Sequence, residues 1–200
     1  MDLHMDKISV QHGLETMRDL YPRFNEKLES ANTIIRNMAT YWSGHNFELI
    51  YTDWNNSVKV NNEILNDLSV AINKNSNAFF IYTTADRAPI EPVQQTPAVL
   101  DEVIPENNTN VSNMNTERLQ TDLTQLSGDL QFALTLGDEL IQTALNIEWN
   151  SSDALPRLKL NLFKNKDLMD ENLKRIIDNV TANLEEVIKT NINAEESVEG

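Results

Sequence analysis

Apolar residues recur at alternating spacings of four and three residues in three long stretches of this 200-residue chain, and a fourth stretch follows a similar spacing. In the first stretch they are Val10, Leu14, Met17, Tyr21, Phe24, Leu28, Ala31, Ile35, Met38 and Trp42. A mean spacing of about 3.5 residues aligns such side chains along one side of an α-helix, where they form a seam against other helices. The chain is therefore predicted to be all-α.

A second helix is predicted to follow the first after the short turn "SGHN". Its seam is Phe47, Tyr51, Trp54, Val58, Asn61, Leu65, Leu68, Ile72, Asn75 and Phe79. A short connection between two long amphipathic helices makes them lie antiparallel, so residues 8–84 are predicted to form a helical hairpin. Because a real helix drifts off a 3.5-residue repeat, we expect Asn61 and Asn75 to lie at the edge of the seam.

The stretch 89–115 contains Pro89, Pro92, Pro97 and Pro105, no basic residue and no sustained period, which predicts a flexible linker. Helical spacing then resumes behind a cap at Asn115 or Thr116 and continues to Ile147. After Trp149, a cap at Ser152 or Asp153 is predicted to start a last helix that ends near Ile192.

The chain thus repeats one pattern at an offset of about 107 residues, the distance from Trp42 to Trp149. We predict a first hairpin in residues 1–88, the linker in 89–115 and a second hairpin in 116–200. In each hairpin, apolar side chains beside the narrow seam remain exposed unless another element packs on them. Two hairpins packed face to face would bury them and form a four-helix bundle. Large side chains of the first repeat would fit against small ones of the second: Phe24, Trp54 and Phe79 against Ala133, Gly137 and Ala144. The alternative is that each repeat pairs with its own copy in a second chain.

Composition excludes several classes of function. The chain has no cysteine, which rules out disulfides and thiolate metal sites, and its net charge of -15 argues against nucleic acid as a partner. The three histidines (His4, His12 and His45) are scattered, so no catalytic, cofactor or metal site is predicted. The longest apolar run, Ala78–Tyr82, is far short of the roughly 20 residues of a membrane span. The N-terminus lacks the pattern of a cleaved signal peptide.

Two motifs in the first hairpin point to a family. The turn carries Trp42-Ser43-Gly44, and "YTTAD" places Tyr82 and Asp86 just beyond the second helix, four residues apart and so on one face of a helix. Together, on a hairpin of under 100 residues, they resemble the WXG superfamily, the early secreted antigenic target-like substrates of ESX (type VII) secretion systems. The resemblance covers residues 8–87. The second hairpin matches by pattern only, since it reads Trp149-Asn150-Ser151 where the family has glycine.

The resemblance implies a non-enzymatic protein that is secreted without a cleaved signal peptide and recognised by the type VII export ATPase. In that family the signal is composite, so Tyr82 and Asp86 would lie beside the turn of the partner hairpin, here at Trp149, with Trp42 at the opposite end near Ile192. Further partners implied are another WXG-type or helical protein or a second copy. The alternative is a cytosolic helical adaptor that escorts a larger type VII substrate to the ATPase. A third reading is a coiled-coil scaffold without a role in secretion.

Overall fold

The computed structural model describes residues 7–104, 115–147 and 154–199. They form four helices: α1 (Lys7–Met38), α2 (His45–Ala85), α3 (Thr116–Asn146) and α4 (Ala154–Glu199). No strand occurs in these three ranges. Because α1 packs on α3, α3 on α4 and α2 on α4, the predicted all-α four-helix bundle within one chain is confirmed. No helix in the described part of the chain is long and apolar enough to cross a membrane.

The helix ends follow local chemistry. The side-chain Oδ1 of Asn115 accepts a hydrogen bond from the backbone N–H of Arg118 at 3.0 Å, which confirms Asn115 as the cap of α3. The expected end of the last helix near Ile192 is wrong, because α4 continues to Glu199. Its final residues, "NAEESVE", contain neither Gly nor Pro, so nothing in the sequence stops the helix before Gly200. The predicted caps Ser152 and Asp153 lie outside the described residues.

The chain divides into two compact units, and each contains a part of all four helices. The first unit comprises Met1–Glu26, Val60–Val99 and Thr135–Met169. The second comprises Lys27–Lys59, Leu100–Leu134 and Asp170–Gly200.

The core of the first unit joins large side chains of the first repeat to small residues of the second. Phe24 is fully buried, and its ring lies so close to Gly137 that a Cβ on this glycine would be 2.9 Å from the ring atom Cε2. Gly13 of α1 is equally close to Ile147, where a Cβ would come within 2.8 Å of the side chain. Of the predicted packing of large residues of the first repeat against small residues of the second, the contact between Phe24 and Gly137 is therefore seen.

The core of the second unit is tied together by buried polar groups as well as by apolar packing. The indole Nε1 of the fully buried Trp54 donates a 2.7 Å hydrogen bond to the Oδ1 of Asn32 on α1. Asp129 of α3, only 6% exposed, accepts hydrogen bonds from both Lys27 and Ser30. Because a buried carboxylate is costly without such partners, these bonds specify how α1 and α3 align in this unit.

The expectation that Asn61 and Asn75 lie at the edge of the seam is wrong. Both are fully buried in the first unit, because α2 packs on α4 as well as on α1. Phe132 of α3 is 61% exposed, and the ammonium of Lys27 lies 5.6 Å from its ring centroid. A cation over an aromatic face makes such exposure tolerable.

Candidate functional site

The turn between α1 and α2 lies in the second unit and is built around a buried tryptophan. Trp42 is 8% exposed, its backbone N–H donates to the Met38 carbonyl at 2.8 Å, and its ring centroid lies 5.4 Å from that of Phe47. Gly44 has a φ of 106°, a conformation that side-chain-bearing residues rarely adopt. Packing in the core thus explains the tryptophan at position 42, and the geometry of the turn explains the glycine at position 44. Ser43 between them is exposed.

A polar cluster lies beside this turn. The Tyr41 hydroxyl donates a hydrogen bond to the Asp122 carboxylate, and the Arg118 guanidinium lies 4.1 Å from the centre of the Tyr41 ring. Burial, the hydrogen bond to Asp122 and the charge of Asp122 all raise the pKa of Tyr41, and Arg118 lowers it by less. The phenol therefore stays protonated and holds the second turn of α3 to the turn between α1 and α2.

The predicted secretion signal is at the C-terminal end of α2, in the first unit. Tyr82 is half-buried, and Asp86 follows Ala85, the last residue of the helix. The Arg87 N–H donates to the Thr84 carbonyl and the Ala88 N–H to the Thr83 carbonyl, while Arg87 takes a positive φ of 62°. This is the Schellman arrangement that ends a helix, with arginine at the position where glycine is preferred.

One lysine contacts both residues of the motif. The Lys7 ammonium forms an ion pair with the Asp86 carboxylate and lies 5.0 Å from the centroid of the Tyr82 ring. Lys7 is the first residue of α1, so the start of α1 and the end of α2 meet at this point. The Lys7 and Asp86 side chains remain 43% and 46% exposed, which leaves the cluster accessible. We call Lys7, Tyr82 and Asp86 the α2-end cluster.

The second hairpin contributes its own turn region to the first unit. Ile147, the residue after α3, is 2% exposed and packs against Gly13 of α1. Trp149 lies outside the described residues, so its expected place beside Tyr82 and Asp86 stays a prediction. Trp42, Ser43 and Gly44 belong to the second unit, so the two motifs of the first hairpin are not brought together within one unit.

Residues 89–104 of the predicted linker contain no helix but are held by side chains of the helices. In the first unit, the Ser76 hydroxyl accepts from the Val93 N–H, the Tyr21 hydroxyl accepts from the Ala98 N–H, and Asn73 exchanges two hydrogen bonds with the backbone of Gln95. In the second unit, Asn55 makes the same pair of bonds to Val103, and Leu100 and Val103 are buried. These contacts are not what a flexible linker would make, and we call residues 89–104 the strap.

No candidate for catalysis emerges from the described residues. His12 and His45 are exposed, and no group of three or more His, Cys, Asp or Glu side chains within the described ranges could hold a metal ion. The absence of enzymatic activity stays a prediction.

Sequence reasoning missed Lys7 and the strap. Lys7 is 79 residues from Asp86 and belongs to no motif, so only the fold reveals their contact. The strap contacts the helices mainly through its backbone, so its side chains show no periodic pattern in the sequence. One signal was available, because Asn55 and Asn73 are 18 residues apart, about five turns of 3.6 residues, and thus share a face of α2.

Compared with known proteins, the chain matches no family model, no curated protein and no solved structure.

Proposed function

We propose that this chain is a substrate of an ESX (type VII) secretion system, exported without a cleaved signal peptide, with Tyr82 and Asp86 as its export signal. It acts outside the cell through protein contacts rather than by catalysis. The export ATPase is its partner inside the cell, and the second hairpin takes the place of the separate partner that a single WXG-type hairpin would need.

The observation that carries this proposal is the accessible pairing of Tyr82 with Asp86 at the end of a helical hairpin. The carboxylate is about half exposed and lies just beyond the last turn of α2, and the chain then leaves the helix. A phenol and a carboxylate four residues apart share one face, which gives a docking surface a compact feature to recognise.

The packing of the two hairpins on each other supports the second part of the proposal. Contacts between α1 and α3 and between α2 and α4 pack the two hairpins on each other within one chain. A chain that supplies its own partner hairpin can present the Tyr82 and Asp86 motif as a monomer, since no second subunit is needed.

The proposal is tested by measuring the chain in the medium and in cells of a strain with an ESX ATPase and of a matched strain without it. We expect wild type in the medium only when the ATPase is present, and Tyr82→Ala and Asp86→Ala to stay in the cells. Asp19→Ala is the matched control, because it removes an exposed carboxylate that forms an ion pair with Arg23 on the same helix. Equal medium fractions for all variants in both strains, corrected for lysis with a cytosolic marker, would contradict the proposal.

A second candidate is a cytosolic adaptor for a larger type VII substrate. The observation that favours it is a group of exposed apolar side chains on α4 in the first unit, where Leu160, Phe163 and Leu168 are 54%, 56% and 46% exposed. An adaptor would remain in cells of both strains, and deleting it would lower the export of the larger substrate.

A further inference from the structure

We infer that Lys7 is the third member of the site formed by Tyr82 and Asp86, a positioning residue that fixes both side chains for the docking partner. This inference rests on the proposed function. The Lys7 ammonium contacts the motif at both ends, as an ion pair with Asp86 and over the ring of Tyr82. A single side chain thus sets how far the carboxylate stands from the phenol.

The charge of Asp86 is placed against the preference of its helix. An anion is unfavourable at the C-terminus of a helix, yet Asp86 follows the end of α2, whose last turn contains no basic residue. The ion pair with Lys7 offsets this unfavourable placement.

The backbone next to the motif also departs from local preference. Arg87 adopts the left-handed conformation at the position that glycine normally fills at a helix end. Two neighbouring residues therefore go against their local preference: Asp86 and Arg87. Such violations concentrate where function rather than stability selects the residues.

The contact has a consequence for the partner. Because Lys7 already neutralises Asp86, the docking surface meets an ion pair beside a phenol instead of an isolated carboxylate. Loss of Lys7 would leave Asp86 attached only through the cap of α2, free to move relative to Tyr82.

The test uses the full chain with Lys7→Ala, the charge-conserving Lys7→Arg, and Lys59→Ala as a control that removes an exposed lysine from α2. The first readout is hydrogen exchange of the backbone amides of residues 82–88. We expect exchange to be about fivefold faster in Lys7→Ala, as for loss of one exposed ion pair and one cation–π contact, and unchanged in the other two variants. Unchanged exchange in Lys7→Ala would overturn the inference.

The second readout is the medium fraction of the same variants in the strain with the ATPase. Lys7→Ala should be exported several-fold less than wild type, at an unchanged helical circular dichroism signal, while Lys7→Arg and Lys59→Ala should be exported normally, since arginine keeps both contacts. Full export of Lys7→Ala, despite faster exchange, would overturn the role of Lys7 in the signal. If the wild-type chain is not exported, the proposed function is overturned, and with it the role of Lys7 in the export signal. This holds even if hydrogen exchange shows that Lys7 fixes the end of α2.

Discussion

The ring of Phe24 lies against the backbone of Gly137, and no side chain at position 137 fits between them. A Cβ there would be 2.9 Å from Cε2 of the ring and equally close to the end of the Met169 side chain. Phe24 belongs to the first repeat and Gly137 to the second, so this contact joins the two hairpins within the first unit.

We predict that Gly137→Ala destabilises the protein by about 1–3 kcal/mol, the usual cost of overpacking a core, despite the better helix propensity of alanine. The measurement is the free energy of unfolding in urea. The matched control is Gly128→Ala on the same helix, where an added Cβ meets nothing within 4 Å. The free energy of unfolding of the control should rise by about 0.5–1 kcal/mol. If Gly137→Ala and Gly128→Ala change the stability in the same direction, the contact of Gly137 with Phe24 is contradicted.

The turn between α1 and α2 gives a second prediction, which concerns Gly44. Because its φ is 106°, alanine there is strained even though no atom lies within 4 Å of the added Cβ. We expect Gly44→Ala to cost about 1–2 kcal/mol of unfolding free energy. A neutral effect in thermal and urea unfolding would mean that the turn does not require this conformation.

A third prediction concerns the strap in the second unit. Asn55→Ala removes both hydrogen bonds to Val103, and leaves buried backbone groups unsatisfied, so it should cost about 1–3 kcal/mol and speed proteolysis within residues 89–104. Asn56→Ala, at the exposed neighbouring position, should do neither. Equal proteolysis rates for the two variants would show that Asn55 does not hold the strap.

The buried Asn61 gives a fourth prediction, with the opposite sign. In the described structure neither its Oδ1 nor its Nδ2 has a hydrogen-bond partner, and the residue is fully buried. An unsatisfied buried amide is costly, so Asn61→Leu should stabilise the protein by about 1–2 kcal/mol. Polar residues on helix seams can specify which helices pair, so the mass of the variant should be measured beside its stability. Loss of stability would imply a partner for Asn61.

The fifth prediction is a pH dependence that depends on Tyr41. Its pKa is raised in the folded state above the ordinary value of 10.0 by burial and by Asp122, so the folded protein keeps a proton that the unfolded chain releases. The free energy of unfolding should therefore fall as the pH rises above 10, by at most about 1.4 kcal/mol per pH unit for this one proton. Tyr41→Phe should reduce this slope, and an identical slope in urea unfolding at several alkaline pH values would contradict the assignment.

The seams could be predicted because burial along a helix repeats at a fixed spacing. Packing of the large side chains of the first repeat, Phe24 among them, against the small residues of the second was predicted from residue size alone. The cap of α3 was placed at Asn115 or Thr116 from their position before an acidic first turn. By contrast, the burial of Asn61 depends on helices that pack on α2 from several sides, which its own period does not encode. The end of α4 was misplaced because the fading apolar pattern near Ile192 does not itself stop a helix.

The candidate site was predictable only in part. The spacing of Tyr82 and Asp86 is visible in the sequence, and residues four positions apart lie on the same face of any helix. Lys7 contacts both residues, and Asn55 and Asn73 form hydrogen bonds to the strap. In both cases the fold brings together residues that are far apart in sequence. Neither leaves a local pattern.

The claim that joins fold and function most closely is that one chain supplies both hairpins. The decisive measurement is the molar mass in solution by sedimentation equilibrium over a wide range of protein concentrations. Intramolecular pairing predicts 22.8 kDa at every concentration. A concentration-independent mass of twice that value would favour pairing of the hairpins between chains, and would count against the second hairpin as the built-in partner of the first.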